Sequence, residues 1–82
     1  METLYKIIND KAEALEFRVK SNSKLVGVPL SKLKIKDHVL LCCINRRNKI
    51  IIPDGQSTLQ IGDTAIIVTT ISGLNDLNDI LQ

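Results

Sequence analysis

NKIIIPDGQSTLQIGDTAIIV, residues 48–68, is the stretch that decides how this chain folds. Its first apolar run stops at Pro53-Asp54-Gly55, because proline cannot donate to a sheet ladder and Asp and Gly favour turns. Gly62-Asp63 makes a second turn, and a second apolar run begins at Thr64. The stretch reads as two strands joined by a connector with two built-in turns. It holds no spaced set of nucleophile, base or metal ligand. That points to a structural or sensing module.

Working outward, residues 39–44 are apolar throughout, and Arg46-Arg47-Asn48 is a tight turn that returns the chain as an antiparallel hairpin. Strict alternation sets Val39, Leu41 and Cys43 on one face and Leu40, Cys42 and Ile44 on the other. Residues 63–70 divide likewise, with Ala65, Ile67 and Thr69 opposite Ile66 and Val68. Strands apolar on both faces need cover on both sides. Residues 14–20 instead alternate cleanly, Leu15, Phe17 and Val19 inward against Glu16, Arg18 and Lys20.

Helices are expected at three places. Residues 3–10 carry Leu4, Ile7, Ile8 and Lys11 at helical spacing, with Thr3 near the cap. Residues 31–35 can form a short helix with Leu30, Leu33 and Ile35 inward and Lys32, Lys34 and Lys36 outward. After Ser72 as N-cap, with Asp76 or Asp79 suiting the early helix, Leu74, Leu77 and Leu81 form an apolar stripe with Ile80 beside it. The expected fold class is α+β: a small four-stranded, mainly antiparallel sheet with short helices. Two such helices hardly cover both faces of the sheet, so a second copy of the chain is the expected cover, giving a homodimer.

At 82 residues the chain makes one domain with a modest core. The net charge of +2 hides an asymmetry. All basic residues lie at or before Lys49, and beyond it only Asp54, Asp63, Asp76 and Asp79 are charged. A basic half can attract an anion, although solvated faces are the plainer reading. Tyr5 and Phe17 are the sole aromatics, so stacking platforms for nucleic acid are missing. No apolar run approaches the ~20 residues of a membrane helix, and residues 1–6 lack a signal-peptide pattern. A cytoplasmic location is expected. Cys42 and Cys43 should point to opposite faces of one strand, where a mutual disulfide would be strained. Both are expected as reduced core residues. With only His38 near them, no metal site is expected. No carboxylate pair or Cys/His arrangement suggests an enzyme.

In order along the chain, several pieces resemble one family. They are NSKLVG (residues 22–27), PLSKL (29–33), IIIPDG (50–55) and TLQIGD (58–63). Runs of the type SxLVG, IPxG and LxxGD in this sequence are similar to the TrkA C-terminal domain, also called RCK_C, of Trk-type potassium uptake regulators. The lead-in LYKIINDKAEALEF, residues 4–17, resembles the linker helix and first strand of the same proteins. The resemblance divides the chain into a linker helix over residues 1–13, from a longer parent protein, and a regulatory domain over residues 14–82.

The resemblance implies a dimerising regulatory domain, acting on a membrane potassium channel or transporter through the parent protein. The location would then be peripheral to the inner face of the plasma membrane. Nucleotide binding by NAD or ATP would belong to an N-terminal domain outside this chain, which has no GxGxxG. Some members bind cyclic di-AMP between two subunits. The corresponding residues here are Lys36, His38, Val39 and Leu40, near Asp37, with Arg46 as a further phosphate contact alongside Arg47. The Asn common in binders is absent and the loop is shorter. Two alternatives stand beside this reading. One is a plain subunit-interaction module with no small ligand. The other is the equivalent domain of another cation transporter or antiporter.

Overall fold

The computed structural model describes residues 3–82. Its strands are β1 (Thr3–Ile7), β2 (Ala12–Arg18), β3 (Val39–Arg46), β4 (Lys49–Ile51) and β5 (Thr64–Thr69). They form one five-stranded sheet in the order β1-β2-β5-β3-β4, antiparallel at every pairing. Single turns of 3-10 helix, η1 (Leu30–Lys32) and η2 (Leu77–Ile80), are the described helices. The fold is therefore a small antiparallel sheet with few helices, as the sequence implies, but with five strands in place of four.

The fifth strand is the segment expected as a linker helix. Thr3–Ile7 pairs with β2, Leu4 opposite Leu15 and Ile7 opposite Ala12; Met1 and Glu2 of the expected helix lie outside the described residues. Two forces decide for the strand. Thr3, Tyr5 and Ile7 are strand formers at alternate positions. An isolated helix this short has almost no intrinsic stability, whereas the free edge of β2 offers a full ladder. The hairpin turns through Ile8, Asn9 and Asp10, all at positive φ, and Lys11 N donates to Ile8 O at 3.1 Å.

β5 is the middle strand. Its Ala65 and Ile67 are completely buried, opposite Phe17 and Leu15 of β2. Leu25, Ile44, Leu59, Leu74, Leu77 and Ile80 complete this core on one side of the sheet. The cap of η2 is Asp76, which receives Asn78 N, while Asp79 reaches back to Asp76 N. The role expected of Ser72 as cap thus falls to Asp76; of the expected stripe Leu74 and Leu77 are buried without a long helix, Leu81 is half-buried, and Ile80 beside it takes the third core position.

β3 departs from strict alternation. Its register on β5 shifts between Leu41 and Cys43. Leu41 opposes Ile67, Cys43 opposes Ile66 and Ile44 opposes Ala65, leaving Cys42 as the extra residue. A bulge of this kind lets two residues occupy one pleat. Val39, Leu41 and Ile44 therefore face the core, and Leu40, Cys42 and Cys43 lie on the other face. The expectation that the cysteines point to opposite faces as core residues is corrected: Cys42 is exposed, Cys43 is half-buried, and both are free thiols.

The hairpin to β4 turns through Arg47 and Asn48, both at positive φ, the type I′ geometry that matches strand twist. The connector then runs back to β5 held by its neighbours. Ser31 N donates to Gly55 O, Leu30 N to Ser57 O and Gly27 N to Leu59 O. It ends at Gly62, φ +96°, and Asp63. The Asp63 side chain is 2% exposed. It receives Arg46 Nε and Nη2, each at 2.9 Å, and Gln60 N at 2.9 Å. Arg46 Nη2 also donates to Thr58 O at 3.0 Å.

Burial pushes the Asp63 carboxyl up, but the bonds from Arg46 and Gln60 N–H outweigh it and hold the group below its usual range. A depressed carboxylate stabilises the fold above its unfolded pKa, and that contribution is lost as pH falls through the lower folded value. Asp63→Asn is expected to cost roughly 2–3 kcal/mol, or roughly 10–20 °C in melting midpoint. Its stability should depend less on pH than the parent's below about pH 4. Thermal melts of both chains across that range check this; parallel acid profiles would refute the role given to Asp63.

Candidate functional site

The chain between η1 and β3 is pinned from two sides. Ile35 forms an antiparallel bridge with Leu81, Lys36 N donates to Ile80 O at 2.8 Å, and Gln82 N donates to Lys34 O at 2.8 Å. His38 then takes positive φ, +67°, a conformation that non-glycine residues adopt at a cost. Its carbonyl is held by two donors, Thr69 Oγ1 at 2.8 Å and Thr70 N at 3.3 Å. The buried Thr69 hydroxyl also accepts from Ile71 N at 3.0 Å, so it both donates and accepts.

Across from this turn stands Pro53-Asp54-Gly55. The Asp54 carboxylate receives Gln56 N and Ser57 Oγ, and Ser57 Oγ accepts from Asp54 N, so the turn is closed on itself. Gly55 packs against η1 so closely that an added Cβ would lie 3.2 Å from Ser31 Cβ. Between the two turns lies an open groove of about 470 Å³. Leu30, Ile35, Val39 and Leu41 give it apolar walls; Lys36, Asp37, His38 and Asp54 line it as well. At its edge Leu40 is 62% exposed, on the sheet face away from the core.

Four of the five residues singled out from the sequence, Lys36, His38, Val39 and Leu40, meet in this groove. Arg46 does not. It lies at the far end of β3, about 23 Å along the strand from Val39, and its guanidinium is committed to Asp63 and Thr58 O. Those bonds stabilise its charged form. Arg47 sits exposed at the hairpin turn beside it. The second wall, Ser31 with Pro53, Asp54 and Gly55, was not singled out. Each piece reads locally as a turn or helix start, and tertiary hydrogen bonds, Ser31 N to Gly55 O and Leu30 N to Ser57 O among them, bring them together. Among the described residues there is no group of three or more side chains suited to a metal. No described helix is long and apolar enough to cross a membrane.

Residues 14–82 match the model of the TrkA-C domain. The chain belongs to this family. It is 30% identical over its whole length to the Trk system potassium uptake protein TrkA homolog 2 of Methanosarcina mazei, of which it spans 18%. It is 30% identical, over 94% of its length, to the TrkA homolog 1 of the same organism, of which it spans 17%. A solved RCK domain with cda superposes with a TM-score of 0.61 and 25% identity, covering 84% of this chain and 97% of that one. Membership places the chain among regulatory, non-catalytic domains.

In this TrkA-C domain the Thr69 hydroxyl makes the shorter of the two bonds that hold His38. Thr69→Val keeps the volume and removes both bonds that the hydroxyl makes. It is expected to cost about 1–3 kcal/mol and to speed amide exchange at Thr70 and Ile71 above the neighbouring amides of β5. A midpoint and exchange pattern equal to the parent's would show that Thr69 does not fix His38.

Proposed function

We propose that this chain is the regulatory domain of a Trk-type potassium uptake protein and that it binds a small anionic effector, a cyclic dinucleotide such as cyclic di-AMP, in the groove beside β3. The observation that carries this reading is the meeting of Lys36 and His38 with the apolar Val39 and Leu40 at the rim of an uncovered sheet face. A cationic and a hydrogen-bonding side chain beside apolar walls suit a ligand that is part phosphate and part base. The RCK domain solved with cda supports the same ligand class.

The same face supports pairing of two copies. Leu40 of β3 and Ile50 of β4 are 62% and 60% exposed, and Ile66 and Val68 of the neighbouring β5 are only half-buried. A second copy covering this face would enclose the groove rim and add a second Lys36 and His38 to the ligand. An effector held between copies favours the paired state by its differential affinity, and that bias is what a regulatory domain transmits. In this reading the parent protein acts at the cytoplasmic side of a membrane potassium channel or transporter, and NAD or ATP binds in its other domain.

A second reading keeps the pairing and drops the ligand. Asp37 and Asp54 on the same groove favour it, because they offset the charge of Lys36. Melting the domain with cyclic di-AMP, ATP, NAD and AMP separates the two. A ligand at ~100 times its dissociation constant adds about 2.7 kcal/mol, or roughly 10–20 °C for a domain this size. A saturable rise with cyclic di-AMP that Lys36→Met and His38→Ala remove supports effector binding; a flat response to all four leaves the plain interaction module. Light scattering over a concentration series tests the pairing itself, and a single-chain mass at the highest concentration would refute it.

A further inference from the structure

Cys42 and Cys43 stand outside the groove, and their geometry is unusual for neighbours in a strand. Alternation would send the two thiols to opposite faces. Here the bulge puts both on the face away from the core, one exposed and one half-buried. The register agrees: Cys43 opposes Ile66 and Ile44 opposes Ala65, so Cys43 takes the outer side with Cys42 the inserted residue beside it. The chain thus presents two adjacent sulfurs on one open surface.

The chemistry of such a pair is restricted. Adjacent Cα atoms lie about 3.8 Å apart, below the roughly 4.4–6.8 Å that a relaxed disulfide spans. A direct S–S bond is therefore strained. A single atom inserted between the sulfurs lengthens the bridge and relieves that strain. Four-coordinate ions such as zinc would need further protein ligands, and the described residues offer no cluster of three. A centre that needs two thiols, and carries its remaining substituent with it, fits.

We propose that Cys42 and Cys43 form a two-thiol site for trivalent arsenic, the class of thiophilic centre that takes two sulfurs from one chain. The step balances without any redox partner. An organoarsenic(III) oxide, R–As=O, and two thiols give R–As(S)₂ and one water; two As–S bonds replace As=O, and both thiol protons leave on the oxygen. Arsenic stays trivalent throughout. Burial, with the neighbouring Cys42 and Glu16, raises the Cys43 pKa, so its nucleophilic thiolate is scarcer and both its oxidation and its attack on arsenic are slowed. The site stands on the single chain and does not depend on the effector reading; the pairing proposed above would cover the same outer face, so the probe is applied at concentrations where light scattering gives a single-chain mass.

Phenylarsine oxide is the probe. The reduced chain should form one adduct per chain in native mass spectrometry, with the loss of one water, and both thiols should disappear from a thiol assay. Its melting midpoint should rise with probe concentration, because the folded sheet already presents the pair. Cys42→Ser and Cys43→Ser should each weaken binding by roughly a hundredfold, since the second sulfur then comes from solution. Cys42 is exposed, so Cys42→Ser should melt as the parent does without probe. No adduct on the folded chain, unchanged binding in the single-thiol variants, or a midpoint that falls as the adduct forms would each overturn the proposal. The last would mean that the sheet must open to let the sulfurs meet.

Discussion

The two-bond grip of Arg46 on Asp63 is the interaction on which the rest of the sheet depends. Exposed ion pairs contribute little, but this carboxylate is almost wholly buried and bonded on both oxygens. Three separate pieces of chain meet there. Arg46 ends β3, Thr58 and Gln60 belong to the connector, and Asp63 leads into β5. Val19, just beyond β2, donates to the Asp63 carbonyl and receives Gly62 N. The clamp therefore fixes where β5 begins, and with it the register of β5 against β2 and β3. Ala65, Ile67 and Thr69 face the core only in that register, because a slip of one residue would exchange them for Ile66 and Val68.

The sequence alone makes Arg46 look like a ligand contact. In the sequence it is one of two arginines at a hairpin tip, a place where charge is usually free. Its true partner is a single Asp beyond the connector, beside a Gly-Asp turn that looked complete without it. Nothing local signals the contact. Lys36, His38, Val39 and Leu40 are different: they are nearly contiguous, so locating one located all of them. The opposite wall of the groove needed tertiary knowledge, because Ser31 and Gly55 come from separate turns.

The strands follow the same division. β3, its I′ hairpin with β4, and the connector ending in Gly62-Asp63 carry strong local signals. β2 reads correctly because its alternation is clean, and Leu15 and Phe17 are buried as expected. β1 was lost because Leu4, Ile7 and Ile8 also satisfy a helical period; the competing cue was the open edge of β2, which is a property of the sheet. The bulge was invisible for a related reason. A run apolar on every residue gives no phase from which to detect an inserted one, so Cys42 and Cys43 were placed by parity alone.

The bulge also bears on how this domain could transmit a signal. Leu40 and the cysteines lie on the outer face, Val39 and Leu41 on the inner, and the groove touches Leu40, Val39 and Leu41 together. A ligand seated there would contact the floor of one face and the edge of the other at once. The opposing wall belongs to the Pro53-Asp54-Gly55 turn, anchored to η1 by Ser31 and, further along the connector, to the Arg46–Asp63 clamp. A partner copy on the outer face would meet the same Leu40. Ligand and partner would then share a residue, and a shared residue is the simplest physical route by which occupancy of one changes affinity for the other. Coupling of this kind needs no movement of the core, only a second chain whose fit on Leu40 differs between the empty and the filled groove.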